Sequence, residues 1–270
     1  MKSVLAGLLL AFLSIVAAMA VVRPRAQTPQ AVTGAIRTPV VVELFTSEGC
    51  SSCPPADALL AGLALQQPID TVEVIALEEH VDYWNELGWV DPFSSHDWTT
   101  RQYVYSGVLG NGNPYTPQMV VDGKAEFVGN QARKARQAIL NAAGEQKTQV
   151  TLVHENPNKA GTETLSVKIG KLAGVAQRDT AEVWIAITET GLHSAVKRGE
   201  NAGEDLHHAA VVRSIRKIGE AKYGDEIAFT GEVKVPLQKE WKPENLKAVV
   251  FVQEKKGRRI LGAAELPVAR

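Results

Sequence analysis

The hydrophobic positions of this chain change their spacing about half-way along it. Residues 40–45 (VVVELF) form a short, nearly unbroken apolar run, the pattern of a buried strand. From Ala56 onward, Leu59, Leu60 and Leu63, with Ala58 and Ala61, recur at helical spacing. Residues 70–77 (DTVEVIAL) read as a second strand. Residues 80–98 are aromatic and turn-rich, and 96–109 are predicted to be helical, with Trp98, Tyr105 and Leu109 facing inward. Met119, Val120 and Val121 form a strand, and Asp122-Gly123 is a hairpin turn signal. Residues 125–128 return, and 131–143 are a helix whose Ala135, Ala138, Ile139 and Ala142 share one face. Strand, helix, strand predicts a parallel βαβ unit, to which the hairpin adds antiparallel strands.

From about residue 148 the pattern becomes a series of short alternating strands: 149–153, 164–169, 181–189, 209–218, 226–235, 246–253 and 260–266. Turn signals separate them, as in a β-sandwich. The expected fold is therefore an α/β domain over residues 38–146, with an insertion at about 80–113, followed by an all-β sandwich-like domain over 147–270.

The N-terminus has the form of an export segment. Met1-Lys2-Ser3 gives a short positive start, residues 4–22 are apolar apart from Ser14 and a glycine, and Ala18-Met19-Ala20 has the small-x-small form that signal peptidase accepts. Residues 1–20 are read as a signal peptide, or as an uncleaved membrane anchor, because about 20 apolar residues can span a bilayer. Arg23 and Arg25 follow at once, and 21–37 read as a polar, proline-containing linker. Both alternatives place the remainder outside the cytoplasm, in the periplasm or secreted. Charge changes little in this picture. With 29 Lys plus Arg against 30 Asp plus Glu, no basic stripe points to nucleic acid.

Only two cysteines occur, Cys50 and Cys53. In an oxidising compartment, structural disulfides usually join distant segments. A pair three residues apart closes a very small loop and adds little stability by chain entropy, so it suits redox switching better than bracing. Cys50-Ser51-Ser52-Cys53 leaves the first strand and opens a helix, a place that favours a thiolate. The first sulfur is expected to attack and the second to resolve the mixed disulfide. Pro54 and Pro55 follow directly, and a proline is tolerated in the first helical turn but not deeper. The regular helix is therefore expected to begin near Pro54, with both cysteines in a tight preceding turn.

This strand–CxxC–helix context, together with Tyr115-Thr116-Pro117 before Met119-Val120-Val121-Asp122-Gly123, resembles the thioredoxin superfamily. The resemblance implies a thioredoxin-like first domain in which a cis-proline faces the cysteine pair and the residue before it pairs with an extended substrate. There is no Trp before Cys50 and no Gly-Pro between the cysteines, which leaves reductant or oxidant open. The whole chain is similar to the bacterial family called domain of unknown function 1223. That likeness rests on residues 42–57 (VELFTSEGCSSCPPAD), on His80-Val81-Asp82-Tyr83-Trp84 with residues 88–93 (GWVDPF), on Tyr115-Thr116-Pro117-Gln118, and on residues 198–203 (RGENAG). It implies a thioredoxin-like first domain and a bacterial envelope setting, and no activity.

Other residues carry candidate chemistry. Glu43, inside an apolar strand, is either a buried proton acceptor for the resolving thiol or a salt-bridged carboxylate. His80 and Asp82 follow the second strand. They either hold the insertion in place, assist the thiolate, or ligate a metal. Trp84, Trp89, Phe93 and Trp98 form either a groove for a partner peptide or the core of the insertion. His154, His207 and His208 have no ligand-like spacing, and residues 198–203 read as a turn. The expected function is a cell-envelope thiol–disulfide oxidoreductase. Cys50, Cys53 and Glu43 would be catalytic, and Tyr115, Thr116, Pro117 and Trp84 would meet a thiol- or disulfide-bearing envelope protein. No cofactor is expected beyond the cysteine pair. The alternatives are a copper metallochaperone using Cys50, Cys53, His80 and Asp82, because two thiolates and an imidazole suit Cu(I), and a non-catalytic interaction module.

Overall fold

The computed structural model describes residues 37–110, 112–155, 162–174 and 180–268. The expected signal peptide, and the linker apart from its last residue, lie outside them. No helix among the described residues is long and apolar enough to cross a membrane.

The first half is β1 (Thr38–Thr46), α1 (Pro54–Gln66), β2 (Val72–His80), α2 (His96–Leu109), β3 (Gln118–Val121), β4 (Ala125–Val128) and α3 (Ala132–Ala143). β1 and β2 are parallel, and β3 lies antiparallel between β1 and β4, as the sequence pattern predicts. α1 begins at Pro54 as the two prolines require. β2 runs three residues further than expected because Glu78, Glu79 and His80 are buried strand positions despite their charge. A polar run signals a strand end only when its side chains face water.

The second half is β5 (Val150–His154), β6 (Thr162–Gly170), β7 (Ala181–Glu189), β8 (Leu192–Ala195), β9 (Asp205–His208), β10 (Val211–Ala221), β11 (Ile227–Pro236), β12 (Leu246–Glu254) and β13 (Ile260–Pro267). Its strands correct the expected fold class. There is no thioredoxin-like domain followed by a separate sandwich. A single mixed sheet has the order β13-β12-β7-β10-β2-β1-β3-β4, so four strands from each half share it. The junction is a parallel pairing of Val211 with Glu78, closed by Glu78 N donating to the Ala210 carbonyl (2.9 Å). β7 and β12 are buried on both faces, the mark of central strands.

Alternate residues divide the sheet's faces. Val40, Val42 and Leu44 of β1 and Val72, Val74 and Ala76 of β2 pack under α1 and α3. Val41, Ile75 and Leu77 point the other way and meet Val249, Phe251, Ile260 and Ala263 of β12 and β13. The sheet thus curls until its two halves share one core, with Ile260 N donating to the Asp122 carbonyl (2.8 Å). The helix of the insertion extends the packing on this face: Trp98 of α2 joins that core, and Tyr105 is buried in a small cluster with Phe45, Val81 and Val120. The three-stranded sheet β11-β6-β5 covers β7 and β12 over a second core of Leu165, Val167, Ile169, Val183, Val250 and Val252.

Candidate functional site

β1 ends at Thr46 and the chain turns at once. Cys50 N donates to the Ser47 carbonyl and Cys53 N to the Cys50 carbonyl, each at 3.1 Å. The Cα atoms of Cys50 and Cys53 come to 5.5 Å and the sulfurs form a disulfide. Cys53 is the N-cap of α1. Pro54 and Pro55 carry no N–H, and Ala56 N and Asp57 N both donate to the Cys53 carbonyl (2.8 and 3.1 Å). The donors that a helix N-terminus would turn toward a nearby thiolate are therefore absent or engaged. The polar neighbour of Cys50 Sγ is instead Ser52 Oγ at 3.3 Å.

The turn at residues 198–203, from the far half of the chain, clamps the cysteine turn. Asn201 Nδ2 donates to the carbonyls of Glu48 (2.8 Å) and Cys50 (3.1 Å), and Ser51 N donates to Glu200 Oε2 (3.0 Å). Ser51 and Ser52 stay exposed while both cysteines are buried.

The Thr116–Pro117 peptide bond is cis. Pro117 lies beside the first turn of α1: a Cβ added to Gly129 would sit 3.1 Å from Ala56 Cβ and 3.3 Å from Pro117 Cβ. Trp84 Nε1 donates to Thr116 Oγ1 (2.8 Å), and Trp84 Cβ flanks Gly49. Thr116, Pro117 and Trp84 thus gather around the cysteine turn. The Tyr115 hydroxyl turns to β4, donating to Glu126 Oε2 (2.6 Å).

Glu43 is elsewhere. It shares the face of Val41 and Phe45, across the sheet from α1, where Arg101 Nε (2.6 Å) and the Tyr105 hydroxyl bond its carboxylate. The carboxyl on the cysteine side is Asp57. It follows Cys53 by four residues, so both lie on the same buried side of α1. Thr46 Oγ1 donates to it at 2.6 Å. Burial, reinforced by the Glu78 charge, raises its pKa from 3.8 to about 7.

Beneath α1 lies a buried polar network. His80 Nδ1 bonds Asp91 Oδ2 at 2.7 Å. His208, on β9, bonds Glu78 Oε1 through Nδ1 (2.9 Å) and Glu48 Oε1 through Nε2 (3.1 Å). Trp89 Nε1 donates to the second oxygen of Glu48 (2.7 Å). The two imidazoles stand edge to face at 4.7 Å, with Phe93 against both. Burial opposes charge on His208, but the bonds from Glu48 and Glu78 outweigh it and push the pKa up to about 9. His80 is likewise held well above the ordinary histidine range by Asp91 and Glu78, against the effect of burial. The four aromatics of the insertion therefore serve different purposes. Trp98 is core, Phe93 walls the histidines, Trp84 hydrogen-bonds Thr116 of the cis-proline loop, and Trp89 hydrogen-bonds Glu48 just before the cysteines. Asp82 does not join His80; it bonds Thr99 Oγ1 (2.6 Å) and the exposed His96 (3.1 Å).

Residues 41–253 match the family model described as protein of unknown function (DUF1223). The chain belongs to the DUF1223 family. No curated protein matches it. Among solved structures, this DUF1223 chain is similar to protein AGR_C_4864 from Agrobacterium tumefaciens, at 29% identity and a TM-score of 0.64, over 85% of this chain and 94% of that one. It also shares the fold of HBP35 of Porphyromonas gingivalis, at 18% identity and a TM-score of 0.62, over 87% of this chain and 76% of that one.

Sequence reasoning missed Asp57, Glu78 and His208 of the DUF1223 site, and Glu78 stands just beyond the expected end of the second strand. Asp57 lay within a recognised helix, where its four-residue offset from Cys53 was the available signal. His208 carried no signal, because its partners Glu78 and Glu48 are 130 and 160 residues away.

Proposed function

We propose that this DUF1223 protein is a thiol–disulfide oxidoreductase in which Cys50 attacks and Cys53 resolves. The observation that carries this reading is the Cys50–Cys53 disulfide at the start of α1, with Asp57 one helical turn behind Cys53 on the buried side. In the reducing direction the Cys50 thiolate attacks one sulfur of a substrate disulfide, and the other substrate sulfur leaves as a thiolate. Cys53 then gives its proton to Asp57 and attacks Cys50 Sγ, which frees the second substrate thiol and closes the Cys50–Cys53 bond. The products are two substrate thiols and one protein disulfide; the oxidising direction is the reverse. The residue types support this division. Both sulfurs are buried in the disulfide; Cys50 Sγ lies 3.3 Å from the hydroxyl of the exposed Ser52, on the side from which a partner can approach, and Cys53 has a carboxyl of near-neutral pKa one helical turn away to receive its proton. An extended partner segment would lie along Tyr115, Thr116 and Pro117, with Trp84 at its side.

The test is equilibration of the purified protein in thiol–disulfide buffers, together with trapping by Cys53→Ser. A single reversible two-electron couple is expected, with a stable mixed disulfide formed at Cys50 in the variant. A pair that neither reduces reversibly nor traps a peptide disulfide would overturn the assignment.

A further inference from the structure

Three buried side chains of the network under α1 have a use that thiol chemistry does not absorb. One ligand atom from each of Glu78, His80 and His208 lies within 4.8 Å of the others. Glu78 and His80 stand two residues apart on one face of β2, and His208 comes from β9 beside the junction with β10, so a strand pair and a neighbouring strand fix their positions. Glu78 Oε1 lies 2.9 Å from His208 Nδ1 and 3.7 Å from His80 Nε2. Among the described residues that Nε2 has no hydrogen-bond partner, although His80 is fully buried. An unpartnered ring nitrogen in the interior normally costs stability, so its orientation toward Glu78 asks for a reason.

We propose that Glu78, His80 and His208 form a binding site for a first-row divalent transition metal such as zinc. The donor chemistry fits. Two borderline imidazoles and one hard carboxylate form a set that suits zinc or iron(II) and leaves a position open for a non-protein ligand. The outer partners fit as well. A metal-binding histidine usually presents its other ring nitrogen to a carboxylate, which sets the tautomer and raises ligand basicity. His80 does so through Nδ1 to Asp91, and His208 through Nε2 to Glu48. Asp91 in turn accepts from Glu48 N (2.8 Å) and Phe93 N (2.9 Å), and Glu48 from Trp89, so the support extends into the loops around the cysteine turn. Phe93 closes one side with apolar surface. Three buried carboxylates, on Glu48, Glu78 and Asp91, pair with these two histidines, and a dication offsets the excess of negative groups. The site is separate from the sulfurs and does not depend on the redox reading.

The test uses the full chain with its disulfide intact. Chelator-treated protein is dialysed against zinc, both folded and while refolding from urea, because the three ligands are sealed from solvent. The expectation is one bound zinc per chain. His80→Gln and His208→Gln should each weaken binding at least 100-fold, and Asp91→Asn about 10–100-fold. The exposed pair His193→Gln/His207→Gln, stacked on each other beside Asp205, should bind as the unmutated chain does. X-ray absorption of the zinc-loaded unmutated chain reads the ligands without any variant: nitrogen and oxygen at about 2.0–2.1 Å are expected, with no sulfur at about 2.3 Å. Absence of zinc after both treatments, a sulfur shell, or loss of binding in the His193/His207 variant while the His80 and His208 variants retain it would each overturn the site. None of these outcomes bears on whether Cys50 and Cys53 exchange disulfides.

Discussion

Asp57→Asn separates the carboxyl's proton chemistry from its shape. The amide keeps the size of the side chain and an oxygen for Thr46 Oγ1, but it cannot ionise in this range. In the folded chain the Asp57 pKa stands at about 7 against 3.8 for the free side chain, with burial as the chief cause and the Glu78 charge second. The folded state thus holds this proton more tightly than the unfolded chain. Its contribution to stability is fully present below about pH 4 and is lost as pH rises to about 7. At about 1.4 kcal/mol per pKa unit, the part of that loss falling between pH 5 and pH 8 is ~3 kcal/mol. Urea unfolding of the oxidised unmutated protein and of Asp57→Asn, at half-unit steps from pH 5 to 8, isolates the term. Groups that do not interact with Asp57 cancel in the difference, while Glu78, His80 and His208, which do, carry only their coupling to it. The variant should gain on the unmutated protein by ~3 kcal/mol across this window. The same substitution should slow resolution of a Cys50 mixed disulfide by roughly 100-fold at pH 7, the lower end of general-base effects. A difference curve flat to within about 0.5 kcal/mol would refute the raised pKa. Unchanged resolution would remove Asp57 from the proton path.

Two further outcomes test the shared core. Arg101→Met strips the cation from Glu43 (2.6 Å) and Glu79 (3.4 Å), both fully buried, and should cost about 3–5 kcal/mol in urea unfolding; a loss below about 1 kcal/mol would mean that water or a proton already compensates Glu43 and Glu79. Gly123→Ala should cost more than Gly174→Ala, although both glycines have positive φ (62° and 67°), because a Cβ at Gly123 would fall 1.9 Å from the Arg258 carbonyl oxygen while Gly174 faces open space. The expected difference in unfolding free energy is about 1–3 kcal/mol, and equal costs would place the β3–β4 turn away from the β12–β13 turn.

Much of the local structure was legible in the residues. The apolar run of β1, the helical spacing after Ala56 and the double proline together place the cysteine turn and the start of α1. The bounds of α2 follow from Ser95 as N-cap and Gly110, at φ 93°, as C-cap. The candidate site was half legible. Cys50, Cys53, Thr116, Pro117 and Trp84 carry recognisable neighbours in the chain. Glu43 did not take the proton-accepting place expected of it, because a strand's alternation says that two residues lie on opposite faces but not which face a helix will cover. The β8–β9 hairpin escaped notice because its exposed alternation is weak, and His208 with it.

Periodicity, proline and glycine chemistry and the cysteine spacing act over a few residues, so the sequence alone determined the three α-helices, the sulfur pair and every strand but β8 and β9. Which strands became neighbours is a different matter. Pairing β10 with β2, and β13 with the Asp122 turn, depends on apolar faces far apart in the chain finding one another, and an alternating pattern is compatible with many partners. Only the folded sheet decided that the two halves share a core, and with that it decided where Glu43, Asp57, Glu78, His80 and His208 stand.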